Sequence, residues 1–276
     1  MSKQSIIRSE LIIEPSDLVA KLGNKHLRIF DATVVTNQGA GQPSALDSYL
    51  SGHIPGAAFL DQQRLADKNS VYQLMVPAAE ELAVAFGELG ISQDSEVVVY
   101  ATTVLAWATR VWWVLRYAGF KNVRVLNGGL SGWQAAGGDI ETVENIYAAD
   151  NFEIDIESDW FVGKDEVLAA LRDDRISTVN TLPESAYDQA HISGSTCVPC
   201  SNFLDNWSRL LPNEELKERL GEFSPDKKII TYCGGGGAAT VNAVVHKLVG
   251  NPNVAVYDGS MSEWTGEGLP LTRAGD

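Results

Sequence analysis

Cys233 closes the β-branched run Ile229-Ile230-Thr231-Tyr232 and is followed by four consecutive glycines, Gly234 to Gly237, then by a helix-like stretch from Ala238 to Leu248. A thiol on a strand–glycine loop–helix turn suits nucleophilic, group-transfer chemistry. Glycines let the backbone curl so that several N–H groups converge on one spot, and the start of the helix adds partial positive charge. Such a cradle stabilises a thiolate and any negative charge that develops on an atom bound to it. The groups expected to bind that atom are the backbone N–H groups of Gly234, Gly235, Gly236, Gly237 and Ala238. Three other readings compete. A buried cysteine is often only a small hydrophobe. A nucleotide-phosphate loop would end in Lys-Ser/Thr, whereas Ala238-Ala239 follow here. A cysteine phosphatase loop would end in an arginine, which this one lacks.

Other chemistry-bearing residues lie nearby in the chain. Cys197 and Cys200 form a Cys-x-x-Cys pair, a spacing that can be redox-active. Cys197 is expected in the core. Cys200 is expected either in packing or at the sheet edge near Cys233 as a resolving thiol. Asn180 ends a strand and is a candidate for the floor of the site. Tyr72 and Trp207 are further candidates for the cleft.

The elements that must position these residues occur twice. Glu80-Glu81-Leu82 through Tyr100 corresponds to Glu214-Glu215-Leu216 through Tyr232, each an amphipathic helix, a polar turn and a β-branched strand ending in Tyr. Val123-Arg124-Val125-Leu126-Asn127-Gly128-Gly129 with Trp133 corresponds to Val254-Ala255-Val256-Tyr257-Asp258-Gly259-Ser260 with Trp264. Leu27 to Ala32 answers to Ile176 to Thr181, so that Asp31 matches Asn180. Gly52-His53-Ile54-Pro55-Gly56 answers to Ala190-His191-Ile192-Ser193-Gly194, and a histidine shared by both copies points to a structural hydrogen bond that holds the turn. The period is too long for a solenoid and indicates duplication. Strands that alternate with helical stretches predict an α/β fold of two tandem domains, each a mostly parallel sheet flanked by helices. Sites in such sheets form beyond the carboxyl ends of the strands, where Cys233 falls. The boundary is expected within the acidic, weakly periodic stretch from Asp139 to Asp159, giving domains 1–144 and 145–276. Ala101 stands where the second copy has Cys233, so the chemistry is expected in the second copy alone.

Bulk properties fit this reading. A chain of 276 residues accommodates two domains of about 130 each. The formal charge of −15 argues against nucleic acid and anionic membranes as partners, and it opposes small anions unless basic groups gather at the site. No run approaches a membrane span, and Met1 to Glu10 has no apolar leader core. Three cysteines make no disulfide framework, which fits a reducing cytoplasm.

Tyr49…Gly52-His53-Ile54-Pro55-Gly56-Ala57, Arg110-Val111-Trp112-Trp113 and Asn127-Gly128-Gly129…Trp133 resemble the inactive half of a tandem-domain rhodanese. The loop opening at Cys233 and Asp258-Gly259-Ser260…Glu263-Trp264 resemble its catalytic half, and the similarity runs from about Leu11 to Leu271. The resemblance implies a thiosulfate or 3-mercaptopyruvate sulfurtransferase with no metal or organic cofactor. Cys233 would carry a persulfide between a small-molecule or protein sulfur donor and a thiol or cyanide acceptor. Departures bear on the donor. The positions after the cysteine, basic in thiosulfate-type members, are Gly234 and Gly235, and Gly235 also lacks the serine hydroxyl of mercaptopyruvate-type members. The Asp and His partners of the latter fall on Gln63 and Leu74, and Pro183 to Gln189 holds no arginine to bind an anionic end. The alternative is a catalytically weak persulfide-binding or protein-interaction module that has lost donor recognition.

Overall fold

A computed structural model describes residues 6–36, 42–224 and 226–274, so the first half of the Met1–Glu10 stretch lies outside the described residues. Two five-stranded parallel sheets carry the architecture. In the first, the spatial order is Ile12–Ile13, Val123–Leu126, Glu96–Tyr100, Leu27–Asp31, Ala58–Phe59. In the second it is Phe161–Val162, Val254–Tyr257, Lys228–Tyr232, Ile176–Asn180, Thr196–Cys197. The two orders match strand for strand, down to the pairs Asp31 with Tyr100 and Asn180 with Tyr232. The chain is therefore an α/β protein of two like domains.

Burial explains why the central strands read as unbroken apolar runs. Helices cover both faces, so successive side chains enter different cores. Val97, Val99 and Ile229 point into one large cluster that runs through both domains. Val98 and Tyr100 enter an outer cluster of the first domain, Ile230 and Tyr232 its counterpart in the second.

Each repeat carries the same local clamps. His53 Nδ1 is hydrogen-bonded to the Tyr49 carbonyl at 2.8 Å, and His191 Nδ1 to the Tyr187 carbonyl at 2.9 Å. Both imidazoles stack on those tyrosines, with centroids 3.9 and 3.7 Å apart. The expected structural histidine bond is present in both copies. Trp133 and Trp264 donate from Nε1 to the carbonyls of Asp139 and Pro270 at 2.7 and 2.8 Å.

The stretch between the sheets is ordered by its contacts with the first domain. Tyr147 donates to the Gly56 carbonyl at 2.7 Å and accepts from Ile29 N at 2.8 Å. Phe152 packs on Phe86, and the Asp155 and Glu157 amides donate to the Ala118 and Tyr117 carbonyls. Among the described residues no helix is long and apolar enough to cross a membrane.

The domains meet along helix Leu105–Tyr117 of the first and helix Ala239–Leu248 of the second. Thr109 and Thr240 share a buried hydroxyl–hydroxyl bond of 2.8 Å across the seam, and the Lys247 ammonium lies 5.6 Å from the Trp113 ring centroid. Arg110 crosses fully. Its Nη1 sits 2.7 Å from Asp258 Oδ1, with both side chains less than a tenth exposed. The same guanidinium donates to the carbonyls of Leu74 and Gly236, while Asp258 Oδ2 accepts from Val76 N at 2.6 Å. Removing one member leaves a buried charge uncompensated, at a cost of about 3–5 kcal/mol. Urea unfolding should show Asp258→Ala destabilised by about that amount, and the double variant with Arg110→Ala less destabilised than the sum of the singles. Additive losses would mean the pair is not coupled.

His246, on the second seam helix, is buried near Phe223 and Asn251. Burial pushes its imidazole down from the ordinary value near 6.5 to about 4. Above pH 6.5 it is neutral in both folded and unfolded chains. As pH falls from 6.5 towards 4 the unfolded chain takes up a proton that the folded chain refuses, so stability drops in that window. At pH 4.5 wild type should have lost roughly 2–3 kcal/mol more, relative to pH 7, than His246→Gln. Parallel stability–pH curves would contradict this.

Candidate active site

Cys233 follows strand Lys228–Tyr232 directly, at the carboxyl edge of the second sheet. Its amide donates to Ser260 Oγ at 3.1 Å, and Ser260 donates in turn to the Tyr257 carbonyl at 2.9 Å. Ser260 holds φ at +50°, a left-handed conformation that costs a non-glycine residue about 1 kcal/mol or more. Its counterpart in the first domain, Gly129, has φ +55° and leaves no space for a side chain, since a Cβ would lie 2.2 Å from the Ala101 carbonyl oxygen. The second domain has opened that contact and put a hydroxyl there, which fixes the backbone of the cysteine.

The loop itself is held from behind. The Cys233 and Gly234 carbonyls accept from the Met261 and Ser262 amides at 3.0 and 2.9 Å, and Ser262 Oγ donates to Gly234 O at 2.8 Å. Gly236 has φ +81° and packs on the Arg110–Asp258 pair, where a Cβ would meet the Asp258 carbonyl at 2.8 Å. Helix Ala239–Leu248 starts immediately after, with Ala238 as a cap that offers no side-chain acceptor. Among the described residues, the N–H groups of Gly234 to Ala238 donate to no acceptor in the protein. Those of Gly234, Gly235, Gly237 and Ala238 are left for a group bound at Cys233, beside the positive end of the helix.

Cys233 is only 3% exposed, yet it lines a cavity of about 450 Å³ at the domain seam. Gly234, Gly235, Gly237 and Ala238 border it too, with Trp107, Val104 and Leu74 from the first domain facing them. The expected set is thus largely brought together, with two corrections. Gly236 does not border the cavity, because its left-handed turn places it over the ion pair. Asn180 does not form the floor. It is fully buried, and its Oδ1 accepts from Leu182 N at 2.9 Å, which shapes the turn whose residues Thr181, Leu182 and Pro183 do reach the cavity.

Trp207 lines the cavity, whereas Tyr72 lies against Gly266. Gln63 is exposed and does not line the cavity, whereas Leu74 is on its wall. Cys197 is half-buried, not in the core, its Sγ 3.6 Å from the Leu182 carbonyl. Cys200 is buried and borders the same cavity as Cys233. Its thiol is pushed up to about 11, first by burial and then by Cys233 beside it, so it stays protonated at neutral pH. A protonated thiol is a weak nucleophile, which counts against a resolving role.

Arg110, Asp258, Ser260 and Trp107 were not singled out for the site by sequence. Ser260 had a readable signal: a serine standing where the other repeat has Gly129.

The sequence model of the rhodanese-like domain matches residues 14–136 and again residues 164–267. Thiosulfate/3-mercaptopyruvate sulfurtransferase 2 of Arabidopsis thaliana is 31% identical, over 96% of this chain and 87% of the relative. Thiosulfate sulfurtransferase of Cricetulus griseus is 33% identical, over 90% and 88%. The crystal structure of the 3-mercaptopyruvate sulfotransferase SseA from Escherichia coli superposes with a TM-score of 0.81 at 30% identity, covering 90% of this chain and 98% of that one. With two matched domains, the shared strand order and relatives of this identity along nearly its whole length, the chain belongs to the rhodanese family.

Proposed function

We propose that this protein is a sulfurtransferase in which Cys233 carries a sulfane sulfur as a persulfide from a donor to a thiophilic acceptor. The observation that carries this reading is a cysteine opening onto a seam cavity at the head of a loop whose amides have no acceptor among the described residues. The chemistry in the names of the relatives is the same. In the first half-reaction the thiolate attacks the donor's transferable sulfur. The bond from that sulfur to the donor breaks, and the donor remnant leaves with the electron pair. In the second, a thiol or cyanide attacks the outer sulfur of the persulfide, and the Cys233 thiolate is the leaving group. The negative charge on the outer sulfur is met by the amides of Gly234, Gly235, Gly237 and Ala238 and by the helix start. Both steps close on sulfur chemistry alone and call on no metal or organic cofactor.

In this reading residues 1–144 form the supporting half and residues 145–276 carry the nucleophile. Three free cysteines suit a reducing, cytoplasmic setting, and the net charge of −15 suits neither nucleic acid nor an anionic membrane as partner.

Intact-mass measurement after exposure to a panel of sulfane donors should show a gain of one sulfur atom, about 32 Da, on wild type. Cys233→Ser should show none, and cyanide should discharge the adduct. Absence of an adduct with every donor would leave a persulfide-binding or protein-interaction module instead.

A further inference from the structure

The wall of the Cys233 cavity carries no charge. Among the described residues, no Lys, Arg, His, Asp or Glu side chain lines it. The apolar surface comes from Leu74, Val104 and Trp107 on one side and from Leu182 and Trp207 on the other. The cation held against the back of the loop, Arg110, is cancelled by Asp258 at 2.7 Å and has no exposed edge to offer. The loop amides can meet one negative charge, the one that develops on the transferred sulfur. A donor with a second charge at its far end, a carboxylate or a sulfonate, finds no partner for it inside a chain whose net charge is −15. Burying such a group unpaired is strongly unfavourable. The volume, about 450 Å³, lies in the range of sites for organic ligands and is far larger than a small inorganic anion needs.

We infer that the cavity selects an uncharged organic sulfur carrier with an apolar or aromatic body, and discriminates against anionic donors. This rests on the sulfur-transfer reading and specifies its substrate class. An α-mercapto ketone illustrates the balance of the step. The Cys233 thiolate attacks the mercapto sulfur, an S–S bond forms and the C–S bond breaks. The carbon leaves as an enolate, which solvent protonates to the methyl ketone, and the persulfide remains on the enzyme. Cys233 is oxidised and the carbon is reduced, so no outside oxidant is required.

Two donors with the same reacting end isolate the far group: 3-mercaptopyruvate, with a carboxylate on the ketone, and 2-mercapto-1-phenylethanone, with a phenyl ring in its place. Initial rates of persulfide formation should be followed by mass, each divided by the donor's rate with free glutathione to remove intrinsic reactivity. Wild type should favour the phenyl donor at least about tenfold, the discrimination expected of one missing charge-assisted contact. Gly235→Arg should shift the ratio towards the carboxylate by about ten- to a hundred-fold. A Cβ at that position meets only Ser262 Oγ at 3.8 Å, so the variant is sterically allowed. A wild-type preference for the carboxylate donor, with the persulfide formed, overturns this inference and leaves sulfur transfer standing. An unchanged ratio in a folded Gly235→Arg protein does the same. No adduct from either donor or from the wider panel overturns both.

Discussion

The site depends on one buried ion pair between the domains. Arg110 comes from a helix of the first domain and Asp258 from the turn after a strand of the second, and almost no solvent reaches either. Arginine suits the task because its planar fork offers several donors in fixed directions. One guanidinium meets the Asp258 carboxylate and the carbonyls of Leu74 and Gly236, while the carboxylate also takes the Val76 amide. A wall segment of the first domain and the cysteine loop of the second are thereby tied to a single point. The desolvation cost of both charges is offset only while all these bonds hold, so the arrangement favours one relative placement of the two domains.

Around that point the repeats share one frame and differ at the turns that follow equivalent strands. The tyrosine–histidine stacks, the tryptophan-to-carbonyl bonds and the strand order are common to both. The differences gather at the carboxyl ends of equivalent strands: Ala101 against Cys233, Gly129 against Ser260. A frame buried on both faces tolerates little change, since each central-strand side chain fills a defined space in a packed core. The loops beyond the strand ends meet no such limit.

Much of this was legible in the sequence because its causes are local. The β-branched strands, the glycine loop and the histidine turns are set by neighbouring residues, and the doubling revealed each of them twice. What escaped has its cause elsewhere in the chain. Arg110 was legible only as part of a family motif, and its role emerged when Asp258, far along the sequence, came beside it. Asn180 was misplaced because a strand-end side chain was expected to face the cleft, whereas it turns back to cap its own turn. The stretch after Asp139 has little periodicity because it has no apolar face of its own. Tyr147 and backbone amides pin it to the first sheet instead. The uncharged wall was half legible: the missing arginines of Pro183 to Gln189 could be counted, but the residues that line the cavity come from separate segments.

The placement of the cavity at the seam ties the repeat without a thiol to the one that carries Cys233. Val104, Trp107 and Leu74 belong to the copy without a thiol, yet they wall the cavity onto which Cys233 of the other copy opens. The first copy is therefore not redundant, because without it helix Ala239–Leu248 would lose its cover and the cavity one of its walls. One copy contributes the cysteine, and its sibling contributes a wall of the chamber onto which that cysteine opens.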